Sequence, residues 1–236
     1  MGELIDINNL KVTKSNDLVE ASYKLTLNEQ RLLLMAISHI DSRKPLLKKF
    51  YFQISALDFA DAFGIEPKHA YEALEDAANR LYERDIRTYD RKNQVRERFR
   101  WVFHVKYFDN QGYAELGFSP NVIPYLTLLS QRFTSYELKH IARLGTPYAI
   151  RLYELLKQFA ETGERTISLE QFKERLELAD QYPRFFDLKR WVIQPAVNEI
   201  NAHTDIEVEW DTERKGRKVV RLLFIFSQVK QTKLPL

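Results

Sequence analysis

The chain of 236 residues contains no cysteine. That excludes disulfide bonds, thiolate zinc sites and thiol catalysis, and it agrees with a reducing cytoplasm. Nor is there an apolar run near the roughly 20 residues that a bilayer-spanning helix requires, so no membrane partner is expected. The opening stretch, MGELIDINNL, lacks the basic leader and apolar segment of an export signal. A cytoplasmic location is the expectation. The motifs of common enzymes are missing as well. There is no GxxxxGK[ST] loop to cradle nucleotide phosphates, no GxSxG elbow and no HExxH zinc helix. His39, His69, His104, His140 and His203 are scattered, and no two are separated by a single residue, so the His-x-His metal pair of a nicking enzyme is absent. No catalytic constellation, metal site or cofactor is expected.

What is there describes a globular protein whose charges are clumped. Apolar residues make up 44% and aromatics 13%, with a net charge of only +3. Thr26 with Glu29 forms a capping box ahead of the apolar run Leu32 to Ile37. Leu18, Leu25 and Leu32, spaced by seven, read as core rather than as a zipper. Phe50 to Ile54 is strand-like, Ser55 with Asp58 caps a short helix ending at Gly64, and Pro67 opens a helix to about Glu83 with an inner stripe of Ala70, Leu74, Ala77 and Leu81. Its outer face, with Glu72, Glu75, Asp76, Asn79 and Glu83, is acidic. Alternation predicts a strand over Ile86–Tyr89, a charged loop over 90–98 and a second strand over Phe99–Tyr107, with a third ending near Phe118.

The order then repeats. Residues 135–160 read as helical with a break at Gly145-Thr146-Pro147, and Arg165 to Ile167 as a strand. Ser168 with Gln171 caps a short helix, and a longer helix spans 184–202. Ile206, Val208 and Trp210 alternate as a strand, the loop 211–218 follows, and Val219 to Phe226 is the last strand. A repeat of about 115 residues is too long for a solenoid unit. Three helices followed by a hairpin, twice over, predict an α+β protein of two tandem winged-helix domains. The expected boundaries are 1–120 for the first, 121–134 for a linker and 135–236 for the second.

Two basic runs fall beside the predicted hairpin tips. Residues 84–100 carry seven basic and three acidic side chains, and residues 213–221 carry five and one. Such tips lie along the DNA backbone in a winged helix, which nominates Arg91, Lys92, Arg96 and Arg98 in the first domain and Arg214, Lys215, Arg217 and Lys218 in the second as phosphate contacts. Each phosphate neutralised adds roughly −0.9 to the salt slope of binding. The helix 184–202 buries Leu188, Val192, Ala196 and Ile200, with Ile193 at the margin. Opposite them lie Asp187, Arg190, Gln194, Asn198 and Asn201. Arg matches guanine, Asn and Gln match adenine, and a carboxylate can accept from cytosine. Asp187, Arg190, Gln194 and Asn198 are therefore the candidate base readers, with Arg184 and Lys189 beside them for phosphates. Pro195 removes a helical hydrogen bond, and a kink is expected there.

Three stretches carry a resemblance: LTLNEQRLLLMAISHID (Leu25 to Asp41), TPYAIRLYELLKQF (Thr146 to Phe159) and, most specific, FFDLKRWVIQPAVNEIN (Phe185 to Asn201). In order and spacing they resemble the replication initiators of iteron-containing, theta-replicating bacterial plasmids. The resemblance implies two winged-helix domains without enzymatic activity, whose monomers bind directly repeated origin DNA and bring in the host initiator and replicative helicase. It further implies dimers, formed chiefly through the N-terminal domain, that bind an inverted-repeat operator and repress their own gene. A dimeric sequence-specific repressor without a replication role is the alternative.

Overall fold

Residues 6–46, 51–90 and 93–229 are described by the computed structural model, and they fall into two units, Met1–Arg143 and Leu144–Leu236. In the first, strand β1 (Lys11–Ser15) and a short helix α1 (Asn16–Glu20) precede α2 (Leu27–Ser38). The capping box at Thr26 is present, with the Glu29 carboxylate accepting from the Thr26 N–H at 2.8 Å. Leu32 to Ile37 is buried without a break, as are Leu18 and Leu25. Strand β2 (Tyr51–Ser55) leads to α3 (Ala56–Phe63). Ser55 caps it, and Gly64 ends it at φ +66°, a conformation that a side chain disfavours. Helix α4 (Ala70–Tyr82) buries the predicted stripe Ala70, Leu74, Ala77 and Leu81.

After α4 the strands depart from the sequence pattern. β3 (Asp85–Asp90) pairs with β4 (Val95–Arg100) as a two-stranded hairpin of its own, and much of the predicted loop is strand. Trp101 then breaks the run. It is fully buried, edge-on to Tyr23 at 5.0 Å between ring centroids. β5 (Val102–Phe108) begins a different sheet, ordered β2-β6-β5 with β6 (Tyr113–Phe118). By order along the chain, the wing of this domain is therefore β5–β6, which turns at Asp109–Gly112. The basic hairpin β3–β4 is an insertion between α4 and the wing.

The boundary between the units also lies later than expected. β7 (Phe133–Glu137) pairs antiparallel with β1, Lys11 opposite Glu137. The expected linker 121–134 is packed, with Val122 and Leu126 fully buried, and residues 135–137 are strand rather than helix. Together with α5 (Lys139–Ala142) they belong to the first unit.

The second unit follows the winged-helix order without insertion: α6 (Pro147–Lys157), β8 (Glu164–Ser168), α7 (Leu169–Arg175), the segment 185–203, then β9 (Ile206–Lys215) and β10 (Lys218–Gln228) in a sheet ordered β8-β10-β9. Thr146 and Ser168 cap their helices as predicted. The segment 185–203 is not one regular helix. It comprises α8 (Phe185–Leu188), a π turn over Lys189–Ile193, and α9 (Gln194–His203). Pro195 has no N–H to give the carbonyl four residues back, and the chain widens ahead of it, with the Gln194 N–H reaching the Lys189 carbonyl.

The widening changes which side chains face the core. At 100° per residue Ile193 and Val197 lie roughly 140° and 180° from Leu188. A π turn advances less per residue and swings both back toward it. Leu188, Val192, Ile193, Ala196, Val197 and Ile200 are all buried. Two further ties hold α9: Glu199 accepts from the N–H groups of Gly145 and Thr146 at 2.7 and 3.1 Å, and Asn201 bonds both backbone groups of Val208 at 2.9 and 2.7 Å.

The polar anchor of the first unit is Glu29, which is 0% exposed. Besides the Thr26 N–H it accepts from Arg84 Nε and Nη2, both at 3.0 Å, joining the start of α2 to the end of α4. Glu29→Ala should lower the unfolding free energy by about 2–4 kcal/mol, combining a lost cap with a lost buried ion pair whose arginine keeps some solvent. Urea denaturation measures it, and a change under about 0.5 kcal/mol, the size of a surface substitution, would remove Glu29 from this role.

Candidate nucleic-acid interface

The segment 185–203 and the β9–β10 hairpin form one face of the second unit. Arg190 and Asn198 are exposed, as the sequence predicts, while Asp187 and Gln194 are half-buried. Asp187 is held by Arg184 at 2.7 Å, so the carboxylate expected to read bases and the guanidinium expected to hold a phosphate are paired with each other. Gln194 sits in a chain of hydrogen bonds. The Trp210 indole Nε1–H donates to Gln194 Oε1 at 3.3 Å, and Gln194 Nε2 donates to Asn198 Oδ1 at 2.9 Å. Asn201, grouped with the outward row by simple periodicity, is occupied with Val208 and serves the fold. The π turn accounts for both shifts, since it rotates Gln194 and Asn201 toward β9.

Aromatic rings steady two cations on this face. Lys189 Nζ lies 5.5 Å from the centre of the Trp210 ring, and Arg190 Cζ lies 4.8 Å from that of Trp191. At that range a cation is drawn to the ring face. The hairpin tip is a two-residue turn with Gly216 at φ +63°. Arg214, Lys215, Arg217 and Lys218 stand exposed around it, and none makes an ion pair among the described residues. The fifth cation of this run, Arg221, is paired with Glu213 at 3.1 Å. Between the hairpin and α8 runs a groove of about 790 Å³. Lys173, Lys189, Arg214, Arg217 and Lys218 line it against a single carboxylate, Asp211. Four charges without ion-pair partners among the described residues, beside a groove whose charged lining is five cations to one carboxylate, fit a sugar–phosphate backbone.

The first unit offers a weaker surface. Arg96 and Arg98 are exposed on β4 of the inserted hairpin, not on the wing. Arg96 lies over the Tyr89 ring at 5.8 Å, and Arg98 is paired with Asp85. Arg100 and Arg80 are paired in turn with Glu83 at 3.1 Å and Asp76 at 2.9 Å. Arg91 and Lys92, the remaining backbone candidates, lie outside the described residues. The true wing tip carries Asp109, which accepts from the Tyr71 hydroxyl. That bond pushes the Tyr71 pKa up to about 12 and ties the wing to α4. The expectation of two basic wings at equivalent positions is thus corrected, because the basic run 84–100 precedes the wing. Glu72, Asp76 and Asn79 on α4 and Glu83 just after it are exposed, so that helix shows phosphates an acidic face.

Some features of the site escaped the sequence pattern. Phe186 and Trp191 are 64% and 58% exposed on the segment that carries Arg190. Lys173, from α7, lines the groove. Pro195 was the one available signal, since a proline inside a helical pattern warns that a fixed 100° step will fail beyond it.

Comparison with known proteins agrees with this layout. The sequence matches the family described as Initiator Replication protein, WH1, over residues 11–157 and that described as Initiator Rep protein, WH2, over residues 168–226. A replication initiation protein of Escherichia coli is 28% identical over 222 aligned residues, covering 91% of this chain and 69% of that protein. The PI protein of Escherichia coli is 28% identical over 258 aligned positions, covering 94% and 85%. The crystal structure of the Pi initiator protein in complex with iteron DNA superposes with a TM-score of 0.82 and 26% identity, covering 96% of this chain and 100% of that one. With both winged-helix modules matched in order, this chain belongs to the family of plasmid replication initiators.

Proposed function

We propose that this chain starts theta replication of a plasmid by binding directly repeated origin DNA, the iterons, as a monomer, and that as a dimer it binds an inverted repeat and represses its own gene. The observation that carries the reading is the single face on which Arg190 and Asn198 stand exposed beside four wing cations that have no ion-pair partner among the described residues. Base edges specify and phosphate contacts position, and one face of the second unit offers both. The Pi initiator, whose crystal structure holds iteron DNA, supports the same use of the fold here. Asp187 and Gln194 contribute by setting their neighbours, and Arg184 and Lys189 flank the reading row.

In this reading the first unit is the dimerisation domain and adds backbone contacts through Arg96 and Arg98 on its inserted hairpin, with Arg91 and Lys92 as further candidates outside the described residues. The protein has no catalytic step of its own and no cofactor; it works in the cytoplasm by recruiting the host replication initiator and the replicative helicase. No helix among the described residues is long and apolar enough to cross a membrane. A footprint on the repeats of the parent plasmid tests the proposal, and equal affinity for scrambled DNA would sink it.

Substitutions separate the roles. Arg190→Ala or Asn198→Ala should weaken binding by about 1–3 kcal/mol and relax the preference at one base pair, leaving the melting temperature unchanged. Asn201→Ala should instead lower stability by about 1–3 kcal/mol through its two lost bonds to Val208. Affinity measurements on matched and mismatched duplexes, set beside melting curves, tell the two kinds apart.

Arg217→Ala should weaken matched and scrambled duplexes alike and reduce the log–log salt slope by about 0.9. If it changed base preference while Arg190→Ala did not, the roles of hairpin and helix would be exchanged.

A further inference from the structure

Phe186 and Trp191 are large apolar side chains left in solvent on a segment whose core side is already filled. Leu188, Val192 and Ile193 between and beside them are buried, so neither ring is needed for packing. Exposed apolar residues are common on any protein surface, and exposure alone assigns nothing. Their setting does. Trp191 is adjacent in sequence to Arg190 and holds its guanidinium over the ring, and Phe186 lines the groove together with Lys189 and the wing cations Arg214, Arg217 and Lys218, surroundings attractive to phosphate. The other two tryptophans are accounted for, since Trp101 is fully buried and Trp210 donates its N–H to Gln194.

A ligand for these two rings must be strongly anionic overall and apolar where they touch it. DNA entered from the major groove meets that description at one place on its base edges, the 5-methyl group of thymine. A wedge inserted between base steps is a device of minor-groove binders, whereas the neighbours of these rings, Arg190 and Asn198, suit major-groove edges. We infer that Phe186 and Trp191 are specificity-determining residues that receive thymine methyl groups. The inference rests on the base-reading role proposed above. It adds that T·A pairs at fixed positions are recognised by apolar contact rather than by hydrogen bonds alone.

The test begins with a duplex selected by the full-length protein from a random library. Each thymine is then replaced in turn by uracil, which keeps every hydrogen-bonding group and removes only the methyl. Replacement at one or two positions should weaken wild-type binding about three- to fivefold, the size expected for one buried methyl group, and have no effect elsewhere. Trp191→Ala and Phe186→Ala should bind more weakly, each losing the thymine-over-uracil preference at its own position. Both should keep the melting temperature and salt slope of the wild type.

If uracil is tolerated at every position while Trp191→Ala relaxes only a guanine preference, Trp191 merely props Arg190 and the inference fails. It fails too if the variants lose affinity for single-stranded DNA but not for the duplex, which would make the rings stacking platforms for unpaired bases. Should no preferred duplex emerge from selection, base reading itself falls, and this inference with it. A preferred duplex without uracil sensitivity leaves base reading standing and overturns the methyl contact alone.

Discussion

Burial of one side of the segment 185–203 governs what the second unit can present to a partner. With Pro195 in the segment, a regular helix would leave a carbonyl without its donor and carry Ile193 and Val197 away from the core. The two costs are unequal. One backbone hydrogen bond is worth about 0.5–1.5 kcal/mol net, while burying each of two branched side chains is worth about 1.5–3 kcal/mol. The π turn secures the burial, with Ile193 and Val197 at 0% and 3% exposure. It also leaves the outer side with Arg190, Trp191 and Asn198, and brings Gln194 and Asn201 against β9. The face offered to a ligand is thus the complement of a packing requirement.

The two units share an order of elements but not a distribution of charge. In the second, the wing tip concentrates cations that have no ion-pair partner among the described residues. In the first, the corresponding tip carries Asp109, and three of the arginines near or on the inserted hairpin, Arg80, Arg98 and Arg100, meet carboxylates of their own unit. A cation already paired gives up that partner to bind a phosphate, so its net contribution to affinity is smaller. Electrostatics therefore makes the second unit the more attractive of the two to phosphate. This asymmetry follows from side-chain pairing, and net charge along the sequence does not register it.

What could be read from the sequence was what depends on near neighbours. The caps at Thr26, Ser55, Thr146 and Ser168 involve residues three apart, and the inner stripe of α4 follows a fixed helical step. Sheet membership is different in kind. The alternation from Phe99 to Tyr107 runs on through Trp101 without a change of phase, so nothing local marks where β4 leaves one sheet and β5 joins another. Likewise β7 owes its strand conformation to β1, more than a hundred residues earlier. For the site, Arg190, Asn198 and the wing cations were legible as residue types at a spacing. The engagement of Gln194 and Asn201 was not, because it depends on the phase shift of the π turn and on the position of β9, whereas the Arg184–Asp187 pair is a local one, three residues apart.

The hydrogen-bond chain ending at Asn198 fixes which end of that side-chain amide faces outward. An indole nitrogen can only donate, so Trp210 requires the oxygen of Gln194 to face it, which turns the Gln194 amide nitrogen toward Asn198. That nitrogen in turn requires the Asn198 oxygen, leaving its NH₂ group outward with one lone pair of the oxygen still open. A side-chain amide ordinarily presents either end, and choosing one on binding costs conformational freedom. Here the choice is made in advance, beginning at a residue of β9 that itself has no need to touch a base. An oriented asparagine with a donor and one remaining acceptor site fits adenine, whose N7 accepts and whose N6 donates. The outward orientation of the Asn198 amide therefore originates in Trp210, two hydrogen bonds away.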